Sequence, residues 1–305
     1  MSLPLKIFFL LLLSGALLAV YLVSTSPQSQ IKKVPVAIVE KTELYPLTSR
    51  ILYSYNLTNR SAKNITKADF YAYTPVPKTP YQRLDSLDSK TPHVLTEDKF
   101  GNQIIHFKIK NLAPYASQTI KIIASLAMAH KPNNIPFSNI EHYLENSELL
   151  NLDQPEVILL AKKLNHGSIS EIVNNTFLWT MRNIKYSGYE QADISVVHTL
   201  ESKSGDCTDY MHVFTALNRI NSIPTREIAG YIVKQNKIIH AHDYHNWAEY
   251  LLDDYWYLAD PQNKNFNQFA GYYIAFKHYG VDRQSPLDDF HRYYVSDKRI
   301  LATMN

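Results

Sequence analysis

The chain is predicted to be α+β, with a β-sandwich-like first half and a helix-then-hairpin second half behind an N-terminal hydrophobic helix. Three observations predict this. An uncharged apolar run spans residues 7–23, short alternating segments broken by turn residues fill 36 to about 128, and helix-spaced apolar residues give way to strand patterns after 150.

At 305 residues the chain is long enough for about two domains with their own cores. With 31 basic against 28 acidic residues, the net charge of +3 makes too weak a field to argue for nucleic acid as a partner. A content of 45% hydrophobic and 19% charged residues excludes a disordered chain, and 8 Gly with 15 Pro exclude collagen-like sequence. The single cysteine, Cys207, excludes an intramolecular disulfide and any cysteine-cluster metal site.

The run from Ile7 to Val23 carries no charge, and as a helix it is about 25 Å long, near the lower limit for a membrane span. Lys6 and the amino terminus precede it, while Lys32 and Lys33 follow beyond an uncharged stretch, so the carboxyl side is expected to be exported. The run is longer than a usual signal-peptide core, although Ser24, Thr25 and Ser26 offer small residues for cleavage. Residues 1–30 are therefore expected to be a membrane anchor or a cleaved signal. The rest would be membrane-anchored facing the periplasm or exterior, or exported after cleavage.

Residues 31–130 read as a β-sandwich-like domain. Strands are expected at 50–57, 69–74, 103–109 and 118–123, the last two alternating apolar with polar residues as half-buried strands do. Pro75, Pro77, Pro80 and the Gly101-Asn102 pair punctuate them. Tyr71 and Tyr73 suit either strand core or a partner contact. Residues 131–151, with their prolines and asparagines, suit a linker.

A second domain over 152–280 opens with a helix in which Asp153 is the expected cap and Pro155 lies in the first turn. A second helix is expected at 170–184. Residues 281–305 are a C-terminal extension.

Cys207 precedes Tyr210, Val213, Phe214, Leu217 and Ile220, spaced as one buried helical face, so it opens a helix. Gly205 permits a tight turn there, Asp206 can cap, and Asp209 suits the positive helix end. Free N–H groups at that end favour a thiolate and can receive an oxyanion. The Asp206 and Asp209 carboxylates oppose the thiolate, so a cationic partner is required.

That partner is sought among His240, His242 and His245. Residues 247–252 and 255–260 read as two strands joined by a two-residue turn at Asp253-Asp254. Pairing Leu252 with Tyr255 puts Trp247 opposite Asp260, which makes His245 a diagonal neighbour of Asp260 and leaves His242 on the other face. The Asp260 carboxylate can then fix the imidazole tautomer and stabilise its charged form.

With these residues in place, the sequence resembles the transglutaminase-like superfamily of cysteine enzymes, whose core is papain-like. The resemblance rests on Gly205-Asp206-Cys207 before a helix, the segment Arg219 to Arg226 before the strand 228–233, His245-Asn246-Trp247-Ala248-Glu249, and Trp256 followed by Asp260-Pro261. It covers roughly 150–280 and implies a catalytic domain with Cys207 as nucleophile, His245 as general base and acid, and Asp260 as orienting carboxylate. It implies attack on an amide carbonyl of a protein or peptide substrate, a thioester, and resolution by water or an amine; export into water-rich surroundings makes hydrolysis, by a protease or deamidase, slightly preferred over transamidation. No cofactor is implied, and no carboxylate-dense calcium loop appears. The upstream tryptophan that serves some members as an oxyanion donor has only Trp179 as its candidate, within a helical pattern, so the second donor is unassigned.

Two rival functions remain. His240, His242 and His245 are residues of the type that bind zinc in a metal hydrolase. Alternatively, the chain is a non-catalytic exported binding module on the same scaffold. Nothing in the sequence speaks to oligomeric state.

Overall fold

Alternation in the first half sorts side chains onto two sheet faces, and the inward faces meet in one core. The structure is a computed structural model that describes residues 44–136, 139–189, 193–280, 287, 290 and 292–305. The run Ile7–Val23, and with it the expected anchor or signal, lies outside the described residues. Among the described residues no helix is long and apolar enough to cross a membrane.

The first half contains β1 (Leu47–Asn59), β2 (Ile65–Tyr73), β3 (Gln82–Asp88), β4 (His93–Glu97), β5 (Gln103–Leu112) and β6 (Ser117–Met128). Three of the four expected strands fall within β1, β5 and β6, and the one expected at 69–74 lies in β2 except for its last residue, Thr74. In β1 the alternate residues Ile51, Tyr53, Tyr55 and Leu57 are buried, and the strand runs antiparallel to β6. In the other sheet β2 pairs with β5, setting Phe70 opposite Phe107. Residues of both sheets share one hydrophobic cluster, in which each large side chain contributes roughly 1.5–3 kcal/mol relative to exposure. Tyr73 belongs to that core, whereas half-buried Tyr71 stacks on His106 with ring centroids 4.3 Å apart.

The second half continues with α1 (Pro155–Leu164), α2 (Ile169–Asn183), β7 (Lys185–Tyr186), α3 (Val196–Ser202), β8 (Ser204–Gly205) and α4 (Cys207–Ile220). Then follow β9 (Thr225–Ile232), β10 (Lys237–Ile238), β11 (Tyr244–Leu252), β12 (Tyr255–Asp260), β13 (Asn265–Phe266), β14 (Tyr273–His278), β15 (Tyr293–Val295) and β16 (Ile300–Met304). Helix α1 starts one residue later than Asp153 implied: Gln154 is the N-cap without a side-chain hydrogen bond, and Pro155 takes the first position, where its missing N–H is harmless. Helix α2 is held by a capping box in which Ser168 and Glu171 satisfy each other's backbone N–H groups.

A five-stranded sheet in the order β13-β12-β11-β9-β14 supports the central helix α4, whose residues from Thr208 to Asn218 are all buried. Segments from beyond residue 235 return to the first-half sheets. One edge of β1 pairs parallel with β10 and then antiparallel with β16, while β15 adds to β2. Residues Glu43–Asn305 accordingly form one compact unit.

Candidate active site

The N-terminus of α4 is fixed by two carboxylates. Asp206, the N-cap, accepts from the Thr208 N–H at 2.8 Å, and Asp209 accepts from the Asp206 N–H at 2.7 Å. Both acids anticipated as electrostatic opponents of a thiolate are thus engaged as caps. Cys207 is the first helical residue, so its own N–H has no intrahelical acceptor and is a ready oxyanion donor. Gly205 is required by contact rather than by a positive φ. A Cβ there would lie 2.5 Å from both Cβ and Oδ2 of Asp209, which folds back over it to close the box.

The hairpin delivers the other two residues. Leu252 pairs with Tyr255 and Ala248 with Ala259, the register expected from the sequence. Asp253 and Asp254 both have positive φ, 48° and 64°, as a two-residue turn matched to strand twist demands. His245 then meets Asp260 with Nε2 2.8 Å from Oδ2. Both are buried, His245 at 7% exposure and Asp260 at 1%.

Burial by itself disfavours a charged imidazole, but the Asp260 charge and hydrogen bond, together with a hydrogen bond to Cys207, push the His245 pKa up to about 10. Burial likewise opposes the Asp260 carboxylate, yet the His245 charge and hydrogen bonds from His245 and Asn263 keep it below its ordinary value. With Nε2 given to Asp260, Nδ1 is the nitrogen left for other chemistry. Cys207, partly exposed, thus shares His245 with Asp260.

Residues 160–261 match the family model of the transglutaminase-like superfamily. Over those residues the chain is similar to the transglutaminase-like core. Among solved structures, a Cytophaga hutchinsonii protein described as a candidate cysteine protease is similar at 17% identity and TM-score 0.59. The match covers 85% of this chain and 91% of that one. The periplasmic domain of TgpA from Pseudomonas aeruginosa aligns at 16% identity and TM-score 0.37 over 65% of this chain and 70% of that one. At these identities the first likeness is one of fold. No protein of curated function matches the chain in sequence.

Within the transglutaminase-like core, several polar residues that sequence reasoning missed support the hairpin end. Asn263 donates from its backbone N–H to Asp260 Oδ1 at 3.1 Å and from its side chain to Oδ2 at 2.8 Å, while the Tyr273 hydroxyl donates to Oδ2 at 2.9 Å. An asparagine three residues after Asp260, across Pro261, is a turn signal that points to the first of these. Tyr273 comes from β14 and leaves no local trace. Asn246 links the two halves of the site, donating to Thr208 Oγ1 at 2.8 Å and accepting from the Tyr279 hydroxyl at 3.4 Å.

Trp179 packs in α2 beside the apolar cluster of α1, α3 and α4, with Lys203 Nζ 4.9 Å from its ring centroid. Tyr186 stands closer to the chemistry, since β7 pairs it with Gly205 and its phenol is raised by burial and then by Cys207 and Asp206. The three histidines do not converge: His240 and His242 stack on each other, the His242 side chain is 81% exposed, and His245 is committed to Asp260. Among the described residues no group of three His, Cys, Asp or Glu side chains is placed to hold a metal ion.

Proposed function

We propose that the protein is a thiol-dependent acyl-transfer enzyme acting on amide bonds of proteins or peptides, with Cys207 as nucleophile, His245 as base and acid, and Asp260 as orienting carboxylate. The observation that supports this reading is the single buried imidazole that bonds Asp260 at 2.8 Å and whose pKa is raised by both Asp260 and Cys207.

In the proposed reaction the Cys207 thiolate attacks the amide carbonyl, and the developing oxyanion is received by the Cys207 N–H. The His245 imidazolium gives its Nδ1 proton to the departing amine as the C–N bond breaks, leaving a thioester. Water, deprotonated by the now neutral His245, attacks the thioester, releases the acid and returns the thiolate. An amine in place of water yields a new amide. Hydrolysis is favoured for a chain whose N-terminal run suits a membrane anchor or an export signal, because water is then the abundant acceptor. On this reading the two sheets that share the first-half core are a β-sandwich lying, with the second-half residues Cys207, His245 and Asp260, outside the cytoplasm.

The deciding experiment incubates the wild type and Cys207→Ala with a peptide library and a labelled primary amine. Chain cleavage lost in Cys207→Ala identifies a protease, and amine incorporation lost in the same variant identifies transamidation. Absence of both overturns the proposal in favour of a binding module.

A further inference from the structure

Away from the Cys207 centre, α4 turns a polar stripe inward where a core helix ordinarily presents apolar residues. His212, Thr215 and Arg219 follow one another at helical spacing. The Thr215 hydroxyl and both polar atoms of neighbouring Asn218 are sealed from solvent without a hydrogen-bond partner. The stripe borders a cavity of about 750 Å³ between α4, β9, the end of β14 and the segment 147–150, a size that suits a small-molecule site.

Three chargeable residues of the lining are buried, His212 at 4% exposure, Lys277 at 6% and Glu227 at 8%. Among the described residues, Nδ1 of His212 and Oε1 of Glu227 find no hydrogen-bond partner. The approach between the two residues, Nε2 to Oε1, is 3.7 Å, too long for a hydrogen bond. A buried carboxylate and imidazole left in this state are expensive unless something in the cavity completes them.

The charges of the lining say what that something is. Arg219 spends Nε on the Thr225 carbonyl at 2.9 Å and Nη1 on the Glu145 carbonyl at 2.7 Å, which leaves Nη2 of a guanidinium for another acceptor. Lys277, whose ammonium lies over the Tyr73 and Tyr279 rings, adds positive charge to the same wall. An anion alone meets Glu227, with Glu148 and Asp193 also in the lining, and a cation alone meets Arg219 and Lys277. A ligand bearing both signs a few ångströms apart satisfies each.

We propose that this cavity binds a free α-amino acid, its ammonium donating to Glu227 and His212 and its carboxylate accepting from Arg219. The inference stands apart from the acyl-transfer reading, because none of the residues it uses belongs to the Cys207, His245 and Asp260 set.

The test is calorimetric titration of the full chain with each of the twenty common α-amino acids, followed by the amide and the N-acetyl derivative of the best one. The expected result is saturable one-to-one binding with Kd of about 1 mM or tighter, equivalent to about 4 kcal/mol or more. Both singly charged derivatives should bind at least about tenfold more weakly, as should the amino acid to Glu227→Gln, tenfold being about 1.4 kcal/mol. Cys207→Ala should retain full affinity even if it loses all activity, so the two readings fail independently. Absence of saturable binding overturns the proposal, as does equal binding of the singly charged derivatives by the wild type, a comparison that needs no variant to fold.

Discussion

Nε2 of His245 donates to Oδ2 of Asp260 across 2.8 Å, and Tyr273 and Asn263 direct two further donors at that same oxygen. A carboxylate accepts only, so the proton on Nε2 is fixed and Nδ1 is the nitrogen left for other chemistry. The tautomer and the ring orientation thus follow from one carboxylate held by three elements, β11, β14 and the turn after β12.

Because Cys207 is the only cysteine, alkylation reads the site directly. Iodoacetamide at mildly acidic pH is expected to label the wild type, and His245→Ala to slow labelling at least about tenfold, since the charged imidazole that favours the thiolate is gone. Equal rates in the two proteins, measured by intact mass, contradict the ion pair.

The His245–Asp260 pair sets a pH window for stability. His245 binds its proton more tightly folded than unfolded, so its contribution is complete below the ordinary value of 6.5 and is lost as pH rises through about 10. Asp260 is shifted downward, so its contribution is present above 3.8 and is lost as pH falls through its lower folded value. These are two views of one interaction. Thermal melts should therefore show Tm highest between those limits and falling on the alkaline side, and His245→Gln should flatten the alkaline arm. An unchanged arm contradicts the assignment.

Gly205→Ala should be destabilising by about 1–3 kcal/mol, because the new methyl displaces Asp209 from its capping position. Alkylation of Cys207 should fall with it, since the box also sets where α4 begins. Urea titration and labelling rate check the two effects, and a variant as stable and as reactive as wild type refutes the contact.

Tyr273→Phe removes one of the three donors to Asp260 Oδ2 and should weaken the native state by about 1.5–3 kcal/mol, the range for a hydrogen bond to a charged group. It should lower the acyl-transfer rate while leaving KM nearly unchanged, because the hydroxyl bonds the carboxylate rather than any position offered to substrate. A pure KM effect argues against this role.

Arg226 and Glu249 form a buried pair, with Arg226 Nε 2.9 Å from Glu249 Oε2 and the guanidinium 4.4 Å from the Trp256 ring centroid. Burial pushes the Glu249 pKa up even beside the arginine. Arg226→Met, which strands the carboxylate, should cost about 3–5 kcal/mol, and Arg226→Met with Glu249→Leu should cost less than the single change. Chemical denaturation of the two variants decides it.

Much of the second half is legible because its signals are local. A cap, a glycine and helix-spaced apolar residues place the start of α4 at Cys207, and an even-numbered turn carries the parity that joins His245 to Asp260. The strands β3 and β4 are not legible, since Gln82–Asp88 and His93–Glu97 are polar segments at sheet edges whose few apolar residues lack a clear period. Nor are Tyr273 and the inward polar stripe of α4, because a hydrogen bond between β14 and β12, or a cavity between α4 and β9, depends on packing rather than on any spacing along the chain.

The pairing of β1 with β16 makes the last residues of the chain a structural requirement of the first sheet. During synthesis that sheet keeps an open edge from Tyr55 to Asn59 until Met304 has left the ribosome. A nascent chain halted anywhere before Ile300 would hold α4 and the β11–β12 hairpin once these are made, yet leave a strand edge free to pair with another molecule.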